Sequence, residues 1–269
     1  MTGPKKKRLD LLLVEQKLAE SIDWARRLIG SGQVFIDHRV CDKAGSLVAA
    51  DSLITLKAVK RFVSRGGDKL AAGLQGLKID PKGFICADIG ASTGGFTDCL
   101  LQFGARKVYS VDVGYGLLDW KLRQDERVVV LERLNARYLG VVHIPENIDL
   151  AVIDASFISL EPLLAPLLRF FQSTIRILAL VKPQFQLPRD KIGPGGIVCD
   201  ELLHQQALDM VQQFGIDLGL QCAGVIASPV LGMKGNQEFF MLLSGPSKVE
   251  SDGTEKLEQG DYDEVSKNK

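Results

Sequence analysis

The stretch from Phe84 to Val113 limits the possible folds more sharply than any other part of the chain. Phe84-Ile85-Cys86-Ala87-Asp88-Ile89 has the composition of a buried strand. It runs directly into Gly90-Ala91-Ser92-Thr93-Gly94-Gly95. Phe96-Thr97-Asp98-Cys99-Leu100-Leu101 then begins a helix, and Gly104 closes it. The next strand is read at 107–113. Strand, glycine loop, helix and strand in that order make the first βαβ unit of a doubly wound sheet. Strand-like runs recur at 128–131, 150–154, 175–181, 224–228 and 238–243, and the last two predict a late hairpin. The expected fold class is α/β, with a Rossmann-like sheet.

The loop narrows the ligand. A dinucleotide loop presents GxGxxG so that a pyrophosphate meets a helix N-terminus, and a P-loop needs a lysine after its last glycine. Here the spacing is GxxxGG, and no lysine follows Gly94 or Gly95. Asp88, just before the loop, would repel a pyrophosphate but suits the sulfonium and amino group of S-adenosylmethionine. Asp112 ends the second strand, where an acid can accept hydrogen bonds from ribose hydroxyls. The same two acids would also suit a capped turn that holds no ligand.

The chain is neutral overall, with 33 Lys and Arg against 33 Asp and Glu. A nucleic-acid partner therefore needs a local basic surface. Residues 1–64 supply one, with 12 basic side chains against 7 acidic, whereas residues 245–269 carry 4 against 7. That last segment has few large apolar residues and reads as a disordered acidic tail. The apolar runs are too short for a membrane-spanning helix, and no secretory leader is visible, so no stable membrane insertion is expected. Five scattered cysteines without a CxxC, and only 3 histidines, argue against a disulfide framework and a zinc site. They fit a reducing cytoplasm, and no metal is expected.

Within the basic head, leucine spacing predicts a helix over 10–18. Ser21 is read as the cap of a second helix, which carries Ala25, Leu28 and Ile29 on one face. Short strands are read at 34–37 and 51–56. Arg26, Arg27, Arg39 and Lys43 could grip the backbone of a folded RNA or could form a solvated face. The expected division is a head at 1–60, a linker and opening helix at 61–83, the sheet domain at 84–244 and the tail at 245–269.

Four polar residues stand out for chemistry: Lys69, Asp154, Lys182 and Glu238. Asp154 and Lys182 each follow the carboxyl end of a strand, the edge at which open α/β sheets bind ligands. Lys69 opens a helix ahead of the first sheet strand. Two lysines and two acids around one cleft can manage the proton of a weakly acidic hydroxyl if one lysine is held neutral. A neighbouring ammonium favours that state, and a carboxylate opposes it while orienting the amine. Each residue taken alone is as readily a surface charge or a structural ion pair.

Longer strings carry a resemblance. RLDLLLVEQKLAES, ARRLIGSGQVFID and AGSLVAADSLITL resemble the S4 RNA-binding domain, with Arg8, Leu9, Asp10, Ala25, Gly32, Val34 and Asp51 on its pattern. SRGGDKL at 64–70, DIGASTGGFTD at 88–98, VDVGYG at 111–116 and KGNQE at 234–238 resemble the TlyA/hemolysin A family, which joins an S4 domain to an FtsJ/RrmJ-like methyltransferase. The resemblance spans about residues 8–243. It implies S-adenosyl-L-methionine as cofactor, held by Asp88, Gly90, Ser92, Gly94, Gly95 and Asp112, with Asn135 near the adenine. It implies a Lys69-Asp154-Lys182-Glu238 tetrad for 2′-O-methylation of ribose. It also implies ribosomal RNA or ribosomal subunits as partner, with cytidine in 16S rRNA, 23S rRNA or both as target. Arg8 and Arg65 then join the four head residues as RNA contacts.

The chain departs from the pattern at three positions. Ile22 stands where the S4 domain often has arginine, and Pro194 and Cys199 stand where basic residues are usual. Three rival readings remain. A non-catalytic ribosome-assembly protein would leave the tetrad without a purpose. A haemolysin-like membrane-active protein would need amphipathic spans. A base N-methyltransferase would commonly carry an Asn/Asp-Pro-Pro-Tyr/Phe loop, where this chain has Asp154-Ala155-Ser156-Phe157.

Overall fold

A computed structural model describes residues 6–57 and 61–247. The chain divides into two compact units, Met1–Lys60 and Arg61–Lys269.

The first unit is built from β1 (Lys6–Arg8), α1 (Leu9–Glu15), α2 (Ile22–Gly30), β2 (Val34–Ile36), β3 (Arg39–Val40), β4 (Leu47–Ala49) and β5 (Ile54–Leu56). β1 pairs with β4, and β3, β2 and β5 form a three-stranded sheet. Leu9, Leu12, Leu13, Ala25, Leu28, Ile29, Val34 and Ile54 make its core. Ser21 caps α2 by accepting the Trp24 N–H at 3.2 Å. α1 stops three residues short of the helix read over 10–18. Lys17 takes a left-handed φ of 58°, and the Leu18 N–H turns back to the Leu13 carbonyl at 2.8 Å. Leu18 still packs on the core, so hydrophobic spacing marked its burial and not its conformation.

The second unit holds α3 (Arg65–Gly76), β6 (Ile85–Ile89), α4 (Gly95–Gln102), β7 (Lys107–Val111), α5 (Trp120–Arg123), β8 (Val128–Leu131), β9 (Leu150–Ile153), α6 (Glu161–Leu167), β10 (Thr174–Val181), α7 (Pro183–Gln186), α8 (Glu201–Asp217), β11 (Gln221–Ala227) and β12 (Phe239–Pro246). The sheet order is β11-β12-β10-β9-β6-β7-β8. β10, β9, β6, β7 and β8 run parallel, and β12 lies antiparallel between β10 and β11. The strands read as continuous apolar runs because both sheet faces are covered. Ala87, Ile89, Ala151, Ile153, Ile177 and Ala179 face α6 and α8, which contribute Leu164 and Val211. Cys86, Val108, Val152, Leu178, Leu180 and Phe240 face the other way, onto Leu70, Leu74, Phe96 and Leu100 of α3 and α4.

Two expected boundaries shift. Residues 61–83, read as linker and opening helix, contribute Phe62, Leu70, Ala71 and Leu74 to this second core, so the segment is part of the sheet's helical layer. The tail read from 245 loses its first residues to β12, where Gly245 pairs with Ile175 and Pro246 with Thr174. The rest of that tail, from 248, lies outside the described residues. Among the described residues, no helix is long and apolar enough to cross a membrane.

Candidate active site

The site forms where the parallel strands end. Gly90 leaves β6 with φ 84°, and a Cβ there would lie 2.7 Å from the Asp154 carbonyl oxygen, so only glycine lets the two strand ends approach. Gly94 caps α4 with φ 92°. Ser92, also left-handed at φ 49°, gives its N–H to Asp112 Oδ2 at 2.7 Å. The Gly114 N–H binds the other oxygen, Oδ1, at 2.7 Å. Asp112 thus locks the glycine loop to the loop after β7.

Two adjoining cavities result. One, of about 470 Å³, is walled by Asp112, Val113, Leu117, Leu134, Asn135 and Ile158 among others. That size lies within the usual range for small-molecule sites. Its apolar walls suit a flat heterocycle. Asp112 and Asn135 offer acceptors for hydroxyl and amino groups, and Asp112 with Asp154 favours a cationic ligand over a phosphorylated one. These residues fit S-adenosylmethionine. The second cavity, of about 210 Å³, is walled by Ser64, Arg65, Gly66, Lys69, Thr93, Gly95, Phe96 and Asp154 among others. Gly90, Ser92 and Asp154 border both.

The four candidate catalytic residues form two ion pairs at this edge. Lys182 Nζ lies 2.6 Å from Asp154 Oδ1 and donates to Ser156 Oγ at 2.8 Å. The carboxylate contact is close, but Oδ1 has no aligned hydrogen-bond donor, so Ser156 supplies the directed bond. Lys69 Nζ donates to Glu238 Oε2 at 2.6 Å. The register explains how Glu238 arrives. Phe239 pairs with Val181, so the residue before β12 and the residue after β10 reach the same edge. The Lys182 and Glu238 side chains are only 8% and 3% exposed, and the lining of the second cavity includes Lys69 and Asp154 instead.

Other sequence-derived candidates are redistributed. Asp88 is fully buried and borders neither cavity. Its Oδ2 accepts the Thr97 hydroxyl at 2.6 Å, and Thr97 in turn contacts the Ser110 hydroxyl at 2.7 Å. Burial pushes the Asp88 carboxyl up to about 7 despite the Thr97 bond. The ligand-facing carboxylate expected there is thus an internal polar group under α4. Gly94 also borders neither cavity, and its contribution is the backbone turn. Asn135 borders the larger cavity while its Oδ1 accepts the Arg137 N–H at 3.1 Å.

Of the expected RNA contacts, Arg65 is exposed at the smaller cavity. In the first unit, Arg8 makes a two-point bond to buried Asp10 at 3.0 and 2.7 Å, and Arg26 reaches the same carboxylate at 3.3 Å. The Arg8 bond is the main reason the Asp10 carboxyl drops to about 2. Arg8 and Arg26 are therefore partly neutralised. Exposed Arg27, Arg39 and Lys43 make no ion pair among the described residues.

Sequence reasoning passed over Ser156, Phe157 and Leu134. Ser156 was visible only as part of a strand-end string. Phe157 sits at φ 66° beside Phe185, with ring centroids 5.2 Å apart. All five cysteines are unpaired, and no cluster of metal-ligating side chains occurs among the described residues.

Comparison with known proteins identifies the family of each unit. The FtsJ-like methyltransferase family matches residues 62–244, and the S4 domain matches residues 7–54. The 16S/23S rRNA (cytidine-2′-O)-methyltransferase TlyA of Mycobacterium tuberculosis is 43% identical over 238 residues, covering 88% of this chain and 89% of its own. Hemolysin A of Brachyspira hyodysenteriae is 36% identical over 234 residues, covering 86% of this chain and 97% of its own. The solved structure of a hemolysin-named protein from Streptococcus thermophilus superposes with a TM-score of 0.68 at 41% identity, covering 89% of this chain and 88% of that one.

Proposed function

The chain belongs to the FtsJ-like methyltransferase family and carries an S4 domain ahead of the catalytic fold, and from that premise we propose that it methylates a ribose 2′-hydroxyl of ribosomal RNA. The observation that supports this most is the pair of ion pairs on one sheet edge, Lys182 with Asp154 and Lys69 with Glu238, in which Asp154 and Lys69 line the smaller cavity and Asp154 the larger one too, with Lys182 and Glu238 buried behind them. S-adenosylmethionine, when bound, supplies an electrophilic methyl group. The protein's own residues do the rest. Asp112, Asn135 and the apolar wall of the larger cavity seat the cofactor. Ser156 and Asp154 hold Lys182 in one orientation; the ammonium must first release a proton to solvent, and its neutral amine then takes the proton leaving the 2′-oxygen. Lys69, steadied by Glu238, sets a positive charge at the smaller cavity, where it anchors the substrate. Alignment of the hydroxyl is the larger contribution, and proton removal adds to it.

The target class is cytidine in 16S rRNA, 23S rRNA or both, in the cytoplasm where ribosomes are assembled. The 43% identical relative of that name supports it. The S4-like unit grips structured RNA through its backbone. Nucleotide-resolution mapping of 2′-O-methyl groups in rRNA from cells with and without the gene tests the proposal. A site lost with the gene, and restored by the purified protein with S-adenosylmethionine, is expected. Unchanged rRNA in both strains would overturn it.

A further inference from the structure

Glu132 follows β8 and belongs to none of the motifs so far assigned. Its side chain is only 10% exposed. It accepts the Gly116 N–H at 3.0 Å and forms an ion pair with Arg123. Arg123 in turn donates through Nε to the Leu118 carbonyl at 3.1 Å. Burial works against the Glu132 charge, yet the bonds from Arg123 and from the Gly116 and Leu118 N–H groups outweigh it, and the carboxyl sits below the usual range. Between the two anchored backbone positions lies Leu117, which forms part of the wall of the larger cavity. The other end of this loop is held by Asp112 through the Gly114 N–H, and the guanidinium of Arg133 stacks 4.1 Å from the Tyr115 ring centroid. The segment from Val113 to Leu118 would otherwise be a glycine-containing loop whose wall residues are largely solvent-exposed: Val113 is 70% and Leu117 50% exposed. Its shape is therefore set by side chains outside it.

We propose that Glu132, with Arg123, is a positioning pair that fixes the loop over 113–118 as a wall of the cofactor cavity and thereby sets affinity for S-adenosylmethionine. Glu132 touches neither cofactor nor substrate and acts through Leu117 and Val113. This rests on the cofactor assignment above. A preformed wall spares the ordering of a loop at each binding event, so its loss weakens binding without altering chemistry once the cofactor is in place.

The test uses the full chain and calorimetric titration with S-adenosylmethionine and S-adenosylhomocysteine, alongside steady-state kinetics on rRNA. Glu132→Ala removes the acceptor and the charge. Its Kd for both ligands and its KM for S-adenosylmethionine should rise roughly tenfold, in line with loss of a charge-assisted hydrogen bond, while kcat at saturating cofactor stays within about twofold. Glu132→Gln keeps one acceptor oxygen and should fall between. Glu146→Ala provides the stability control. Glu146 bonds Lys107 and the Tyr109 hydroxyl and borders neither cavity. It should lower the melting temperature and leave Kd unchanged. Equal Kd in wild type and both Glu132 variants would overturn the proposal, as would a Kd rise in E146A matching that in E132A. A wild-type chain that fails to bind either ligand would overturn the cofactor assignment itself.

Discussion

Replacing Asp88 with asparagine tests the burial argument directly. An aspartic acid in an unfolded chain titrates near 3.9, and in the folded protein burial raises this carboxyl to about 7. Between those values the folded state keeps a proton that the unfolded state has lost. Wild-type stability therefore falls as pH rises, by about 1.4 kcal/mol per pH unit while the two states differ by a full proton. The shift of about three units caps the loss at roughly 4 kcal/mol, present by about pH 8 and absent below about pH 4. Asparagine has nearly the same shape, can still accept the Thr97 hydroxyl, and does not titrate. Urea unfolding of wild type and D88N at half-unit steps from pH 4.5 to 7.5 isolates the effect, because every other titrating group is common to both. The stability of wild type minus that of D88N should decline steadily, by about 2–3 kcal/mol from pH 4.5 to 6.5. Parallel profiles, with a constant difference, would mean that Asp88 is ionised inside the fold and that its surroundings are far more polar than the structure implies.

Other expectations follow from the same geometry. Lys182→Ala should leave S-adenosylmethionine affinity nearly unchanged and cut single-turnover methyl transfer by roughly 10²–10⁴-fold, and Lys182→Arg should restore little, since arginine does not release its proton at useful pH. Near-wild-type transfer by K182R would make the residue a positioning charge only. Gly90→Ala should cost about 2 kcal/mol or more in thermal or urea unfolding, from a left-handed backbone and the 2.7 Å approach to the Asp154 carbonyl, and should disturb both cavities. A combined Arg27→Ala, Arg39→Ala and Lys43→Ala variant should flatten the salt dependence of RNA binding by up to about two units of slope in a log–log plot, whereas Arg8→Ala, whose charge already faces Asp10, should change it less. Filter binding at several salt concentrations separates the two.

Much of the architecture was legible because parallel strands covered on both faces must be apolar throughout. The runs that became β8, β9 and β10 needed no long-range information. Boundaries were harder. The end of α1 depends on a left-handed lysine, a conformation with no sequence mark. Asp88 shows how a motif can mislead. Its place before a glycine loop pointed to the ligand, but residues alternate across a strand. Ile85, Ala87 and Ile89 share one core and Cys86 the other, so Asp88 lies on the Cys86 face beneath α4. Thr97, in the first turn of that helix, was the available clue. Lys69 and Glu238 could be joined in advance only by resemblance, since 169 residues separate them. Glu132 could not be found that way, because its value lies in two backbone groups of a loop that sequence leaves unshaped.

The position of β12 has a consequence for biosynthesis. The last strand among the described residues does not add to an edge of the sheet; it enters between β10 and β11, and the residue before it closes onto a lysine near the start of the same unit. Until β12 is made, β10 has an open flank and Glu238, though already in the chain, has no strand to carry it to Lys69. Closure of the sheet and placement of Glu238 beside Lys69 therefore depend on the same late segment, so that the sheet's hydrogen bonding and the pairing of these two side chains are completed together.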